Sequence, residues 1–384
     1  MPEKRPTERI KTGRRNNMNA RERVLKAIKR MDGNPDRVPI QFDLCKQHIE
    51  YFSKKYGIPV DITDNIYEDV TWRISANELR VKMGSDLVLC GASAPASWKP
   101  EIAKDGTWYN EYHMKMRQGP VYVDVVGFPL AGIETVEEVE AYQFPDPHEP
   151  TRYTKAEEII AKYKKDYVVV GNIEVTMFQL AQQLLGMEQM LCDLQMEEPY
   201  IDRLYERCIE FQTEIGLELI RRGVDMIWAS DDFGTQTSLL INEHLFRDHI
   251  KPLYKKMFDT FKKANPDIII AFHCDGAVKP ILNDFVEMGI EIFNPVQPGV
   301  PGHGPQELKD FIGDKLCFWG AIDQQRLLPR GSDEELAREV EERIRILGKD
   351  RGYIIAPAHI IQADVAPERV EYFLALCKKY GAIY

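Results

Sequence analysis

The chain has 384 residues, 44% of them hydrophobic and 29% charged, with a formal net charge of -11. That composition excludes a collagenous or disordered chain, and the acidic balance argues against a general nucleic-acid binder. No run of about eighteen apolar residues occurs, the N-terminus lacks a hydrophobic signal core, and seven scattered cysteines fit a reducing compartment, so a cytoplasmic location is expected.

Residues 1–17 hold the one basic stretch, from Lys4 to Arg15, and read as a solvated tail. Residues 19–31 have a helical period, with Val24, Leu25, Ile28 and Met31 on one face, and Gly33, Asn34 and Pro35 stop them. Eight short β-rich runs follow, at 38–42, 87–89, 167–170, 226–228, 268–270, 290–293, 316–319 and 353–355. Most are continuously apolar, as strands covered on both faces are. Between them, 197–222 is periodic, with Ile201, Leu204, Ile209, Ile215 and Leu219 as core positions. Asn242, the capping-box pair Ser332 and Glu335, and Pro367 open three further helices. Residues 92–166 break the rhythm: Asp105-Gly106 predicts a hairpin turn, and Pro145, Pro147 and Pro150 punctuate a loop. We read this interval as an insertion after the second strand on the active-site face, either a lid or a homodimer contact. Residues 18–384 thus predict a single (β/α)8 TIM barrel with the N-terminal helix packed on its outside. A doubly wound sheet is the alternative, but it more often has five or six strands.

In such a barrel the residues just past the strands line one cavity. Here they are Asp43, Glu174, Asp231 and Asp232, His273 with Cys274 and Asp275, Asn294 and Gln297, Asp323, then His359 and Gln362. A ring of ionisable and amide side chains points to an active site, because Gly, Ser or Pro would suffice to end strands. His273 and His359 come from the fifth and eighth strands, across one mouth, and imidazole and carboxylate suit zinc with a coordination position left open. Neighbouring side chains on an extended chain point oppositely, so His273 and Asp275 face the cavity together. Cys274 is then a buried thiol, with ligation by Cys274 as the alternative. The competing reading gives each histidine an acid–base or hydrogen-bonding role without metal. Asp231 and Asp232 precede Phe233-Gly234-Thr235-Gln236 and either serve the chemistry or cap that turn; Glu174 is a ligand, a base or a capping group. His303, between two glycines, reads as a mobile rim residue.

These motifs together resemble the uroporphyrinogen decarboxylase superfamily over residues 18–384. The resemblance is carried by Arg21-Glu22-Arg23-Val24-Leu25, Asp36-Arg37-Val38-Pro39, Leu185-Gly186-Met187-Glu188, Asp231-Asp232-Phe233-Gly234-Thr235-Gln236, His273-Cys274-Asp275-Gly276 and Trp319-Gly320-Ala321-Ile322-Asp323. It implies a (β/α)8 barrel. The true decarboxylase carries Arg-Gln-Ala-Gly-Arg-Tyr after its first strand to hold porphyrinogen carboxylates, whereas this chain reads Phe42-Asp43-Leu44-Cys45-Lys46-Gln47-His48. Without that cationic clamp, porphyrinogen decarboxylation is not expected.

The resemblance points instead to the cobalamin-dependent methyltransferase branch. Methanogen members hold zinc with a His-x-Cys pair and a distant Cys; overlaid here, these fall on His273, Asp275 and His359. The change of ligand type implies a harder, more Lewis-acidic metal, suited to polarising an ether oxygen. The implied reaction moves a methyl group from a small donor, such as a methoxylated aromatic, to the Co(I) corrinoid of a partner protein. Asp231, Asp232 and Glu174 would serve as catalytic residues, and Asn294, Gln297, Asp323 and Gln362 would face the cofactor. Trp228 or Trp319, if inward, would stack on an aromatic ring. Three alternatives stay open: methyl transfer from methylcorrinoid to tetrahydrofolate or a thiol, a metal-independent decarboxylase or lyase on a small acid, and a non-catalytic corrinoid- or tetrapyrrole-binding protein.

Overall fold

Strand parity organises the molecule. In the computed structural model, which describes residues 18–60, 74–119 and 123–382, β1 spans Leu87–Gly91. Next come β2 (Trp108–Tyr109), β3 (Lys115–Gln118) and β4 (Val123–Gly127), which form a separate antiparallel sheet. The parallel series resumes with β5 (Val168–Ile173), β6 (Met226–Ser230), β7 (Ile269–His273), β8 (Ile292–Val296), β9 (Cys317–Ile322) and β10 (Tyr353–Pro357). The order β1-β5-β6-β7-β8-β9-β10 is that of a barrel wall laid down strand by strand. Alternate residues divide into two cores. Leu87, Leu89, Val168, Val170, Met226, Trp228, Ile269, Ala271, Ile292, Trp319, Ile354 and Ala356 cluster inside the barrel. Their neighbours, such as Val88, Val169, Ile227, Ile270 and Phe272, pack outward under the helices.

The first run, at 38–42, closes the ring without becoming a regular strand. Ile40 bridges Ile355 in parallel, and Asp86 donates its backbone N–H to the Ile40 carbonyl (2.8 Å) on the other side. Pro39 has no N–H, and the Ile40 N–H is taken by the Asp86 carboxylate at 2.8 Å, so a continuous ladder cannot form. The fold is a (β/α)8 barrel.

The N-terminal helix, Ala20–Ala27, differs from expectation in its place. It does not lie on the outside of the barrel. Val24 and Ile28 join the interior cluster, plugging the end opposite the strand C-termini. Arg21, Arg23 and Arg30 pair with Asp225, Asp86 and Glu291, the residues just before β6, β1 and β8. The same carboxylates accept backbone N–H groups from Val169, Ile40 and Ile270 (3.0, 2.8 and 3.3 Å). The plug is therefore tied to strand starts around the barrel base.

Within 92–166, the Asp105-Gly106 turn links Ile102 to Trp108, as predicted, and leads into the antiparallel sheet. The helix Thr154–Tyr163 is the barrel's own, feeding β5. The long helix Pro199–Arg222 buries all five expected core positions, and Ser332 with Glu335 makes the expected capping box. No helix among the described residues is long and apolar enough to cross a membrane.

Candidate metal centre

His273 is the last residue of β7, and its ring projects into the barrel mouth because Ala271 and Ile269, two and four residues back, face inward. The same parity brings Asp275 inward. His359 lies just beyond β10. One ligand atom from each of His273, Asp275 and His359 falls within 4.8 Å of the others. The two imidazoles are 5.9 Å apart between ring centres and inclined at 67°. His273 Nε2 lies 3.8 Å from Asp275 Oδ2 and 4.0 Å from Asp232 Oδ1.

The neighbours of this cluster fix it in place. Asp232 Oδ1 accepts the Asp275 N–H (2.8 Å), and its other oxygen accepts from Gln179 Nε2 (3.0 Å). Asn294 Oδ1 is 2.7 Å from His273 Nδ1. Glu174 is braced by Asn172, which donates Nδ2–H to Glu174 Oε2 (2.9 Å) and accepts the Glu174 N–H (3.0 Å). A cavity of about 40 Å3 opens on His273, His359, Glu174, Asn294, Gln41, Asp43 and Trp228. Trp228 stacks on the fully buried Trp319 at 5.1 Å, so both indoles lie inside the barrel and Trp228 walls the cavity.

Electrostatics follow from the crowding of carboxylates. Burial works to lower the His273 pKa, but Asp275, Asp232 and Glu174 outweigh it and hold the imidazole above its ordinary value. Burial raises the Asp275 carboxyl, and Asp232 and Glu174 raise it further against the pull of the two histidines. An array that favours positive charge on the His273 imidazole and resists negative charge on the Asp275 carboxyl is one that a cation would relieve.

Residues 114–380, well over half of the chain, match the model of the family described as Uroporphyrinogen decarboxylase (URO-D). The chain belongs to the URO-D family. Its fold is similar to that of a methyltransferase from Methanosarcina mazei, with a TM-score of 0.68 at 17% identity, over 94% of this chain and 99% of that one. Weaker likenesses include an α-amylase from Geobacillus thermoleovorans (TM-score 0.42, 12% identity, 90% of this chain and 78% of that one). A B12-independent methionine synthase from a Shewanella species is comparable (TM-score 0.40, 13% identity, 82% and 88%). No curated protein matches the chain.

Other expected site residues of this URO-D chain sit elsewhere. Asp231 is not in the mouth. It is fully buried, points outward, and accepts backbone N–H groups from Met177, Phe178 and Gln179 (3.0, 2.7 and 2.8 Å) as well as the Tyr254 hydroxyl. It anchors the start of the helix Phe178–Leu185. Burial pushes its carboxyl up to about 7 against those four donors. Cys274 likewise points outward: it is fully buried, its sulfur accepts the Phe233 N–H (3.3 Å), and burial drives its pKa well up. That removes it as an alternative ligand.

Of the four residues expected to face a cofactor, only Asn294 lines the cavity, and it does so through His273. Gln297 is a buried tie between loops, accepting the Gly276 N–H (2.8 Å) and donating to Gln236 Oε1 (3.2 Å). Asp323 caps the turn after β9 by accepting the Gln325 and Arg326 N–H groups (2.9 and 3.0 Å). Gln362 donates to the Ile360 carbonyl at 3.2 Å. His303 is buried, not a rim residue, with its ring edge-on to Phe293 at 5.7 Å.

One cavity residue, Gln41, and the buried partner of another, Arg80, escaped the sequence reading. Gln41 accepts from Trp319 Nε1 (3.1 Å) and donates to Asp43 Oδ2 (3.1 Å), and buried Arg80 pairs with Asp43. Gln41 stood as a polar residue inside an otherwise apolar run, which was the available signal. Arg80 offered none.

Proposed function

We propose that the chain is a methyltransferase that takes a methyl group from a small donor, such as a methoxylated aromatic, and delivers it to the Co(I) corrinoid of a partner protein. The carrying observation is the His273, Asp275 and His359 cluster at the strand C-termini, with its ligand atoms inside 4.8 Å. Two imidazole nitrogens and one carboxylate are a donor set that fits Zn²⁺ with a fourth position open. The 3.8 Å between His273 Nε2 and Asp275 Oδ2 is close to the roughly 3.4 Å expected between tetrahedral zinc ligands at ~2.1 Å bond lengths. Bound there, zinc would supply Lewis-acid polarisation of the donor's oxygen. The chain's own residues do the rest. The cavity of about 40 Å3 has room for a methoxy-sized end, with the body of the donor toward the open mouth. Trp228 gives that end an apolar wall, Asp232 steadies Asp275, and Glu174, held by Asn172, is placed to orient the donor. The reaction class agrees with the fold neighbour from Methanosarcina mazei.

The first test is zinc content of the purified chain beside His273→Ala and His359→Ala, followed by transfer from methoxylated aromatics to Co(I) corrinoid with and without chelator. About one zinc per chain, lost in both variants together with chelator-sensitive transfer, supports the reading. A metal-free protein that still turns over a small acid would replace it with the acid–base lyase.

A further inference from the structure

We propose that Asn294 is a positioning residue: it holds His273 in the Nδ1–H tautomer and so leaves Nε2 as the lone-pair nitrogen facing Asp275 and His359. Asn294 sits in the middle of β8, paired in register with His273 on β7, and is buried. Its Oδ1 lies 2.7 Å from His273 Nδ1. Its Nδ2 points at the Trp319 carbonyl, 3.5 Å away. That carbonyl can only accept, so it selects the amide orientation with Nδ2 toward it and Oδ1 toward the ring. An amide oxygen can only accept as well. His273 Nδ1 must therefore carry the proton, and a neutral ring then has its lone pair on Nε2. Parity and backbone pairing lock the geometry: Cys274 donates its N–H to the Asn294 carbonyl at 2.7 Å, so the two strands cannot slide past one another at this point. An amide suits the task better than a carboxylate would, because it orients the ring without adding charge to a mouth that already holds Asp232, Asp275 and Glu174.

The tautomer follows from this structure alone; its consequence for metal affinity rests on the zinc reading above. The experiment separates the two. In the full chain with ¹⁵N-labelled histidine, metal-free and at mildly alkaline pH, long-range ¹H–¹⁵N spectra report the tautomer of each ring, and His273 is assigned by the signal lost in His273→Gln. The expected result is Nδ1–H in the wild type, a shift toward Nε2–H in Asn294→Ala, and Nδ1–H retained in Asn294→Asp, which keeps an acceptor. Zinc affinity by chelator competition should fall about ten- to a hundredfold in Asn294→Ala. An Nε2–H signal for His273 in the wild type overturns the proposal, and needs no variant to fold. An unchanged tautomer in folded Asn294→Ala overturns it too. A wild type with the Nδ1–H signal and no zinc affinity would sink the metal reading while the positioning role of Asn294 stands.

Discussion

Gly234 and Gly276 cross so closely that a Cβ on Gly276 would lie 2.4 Å from the Gly234 carbonyl carbon, and one on Gly234 would lie 2.6 Å from the Asp275 carbonyl oxygen. This crossing sets the loop that carries Asp275 against the loop that carries Asp232. Gly276 also has φ of +89°, which an L side chain rarely adopts. Gly276→Ala should cost about 3 kcal/mol, the sum of strain at positive φ and a backbone clash that cannot relax by rotamer change. Gly289→Ala is the control. Its φ is +94°, but nothing lies within 4 Å of the added carbon, so only about 1 kcal/mol is expected. Equal urea midpoints for the two variants would show that the crossing is looser than the structure has it.

Asp231 and Asp232 are adjacent and do opposite jobs. Asp231→Ala strips a partner from three backbone N–H groups and the Tyr254 hydroxyl, all but the Gln179 N–H buried, and should destabilise the fold by about 3 kcal/mol. Asp232→Ala removes a half-exposed carboxylate from the mouth. It should cost about 1 kcal/mol or less in denaturant titrations and instead weaken zinc retention, because the Asp275 N–H loses its acceptor. The reverse ranking in stability would mean that the outward and inward assignments are wrong.

Strand parity explains what was legible in the sequence and what was not. Applied to His273, Cys274 and Asp275, alternation separated the outward thiol from the two inward groups, and the structure arranges them so. The same rule reaches Asp231 and Asp232: Trp228 faces in, so Asp232, four residues on, faces in and Asp231 faces out. The sequence alone did not reveal where β6 ended, and without that boundary the two carboxylates looked alike. Gln297, Asp323 and Gln362 lie in loops, where alternation fails and turn chemistry decides; each is engaged by nearby backbone. The plugging helix was legible as an amphipathic element but not in its place, because one apolar face fits a barrel base as well as a barrel flank. Its charged residues carried the missing information, in Arg21 and Arg23 paired with carboxylates that precede β6 and β1.

That plug makes its own prediction. Arg23 bridges Asp36 and Asp86, with Asp86 nearly inaccessible, and burial is opposed by those two carboxylates strongly enough to raise the arginine's pKa. Arg23→Ala leaves a buried carboxylate with fewer partners and should cost about 3 kcal/mol. Lys162→Ala removes an exposed pair with Glu78 and should stay within about 0.5 kcal/mol of the parent. Thermal and urea denaturation would check both. A neutral Arg23→Ala would mean that the apolar seal made by Val24 and Ile28 holds the plug without its charges.

The buried His303 should make the fold acid-sensitive. Neither ring nitrogen has a hydrogen-bond partner among the described residues. Burial pushes its pKa down to about 4, only slightly offset by the nearby Gln297 backbone. An unfolded histidine titrates near 6.5. Between those values the unfolded chain binds a proton that the folded chain refuses, so stability rises with pH across the window. It is complete above about 6.5 and lost as pH falls toward 4, by about 3 kcal/mol in all. His303→Leu cannot take up that proton in either state, and the Phe293 face against which the ring packs accommodates an apolar side chain. Its stability should therefore fall less steeply than that of the wild type between pH 6.5 and 4, by about 3 kcal/mol, while carboxylate titrations common to both cancel. Urea titrations at several pH values measure the difference directly. Parallel profiles for the two proteins would mean that His303 gains a proton as readily folded as unfolded, and that some group or water reaches its ring.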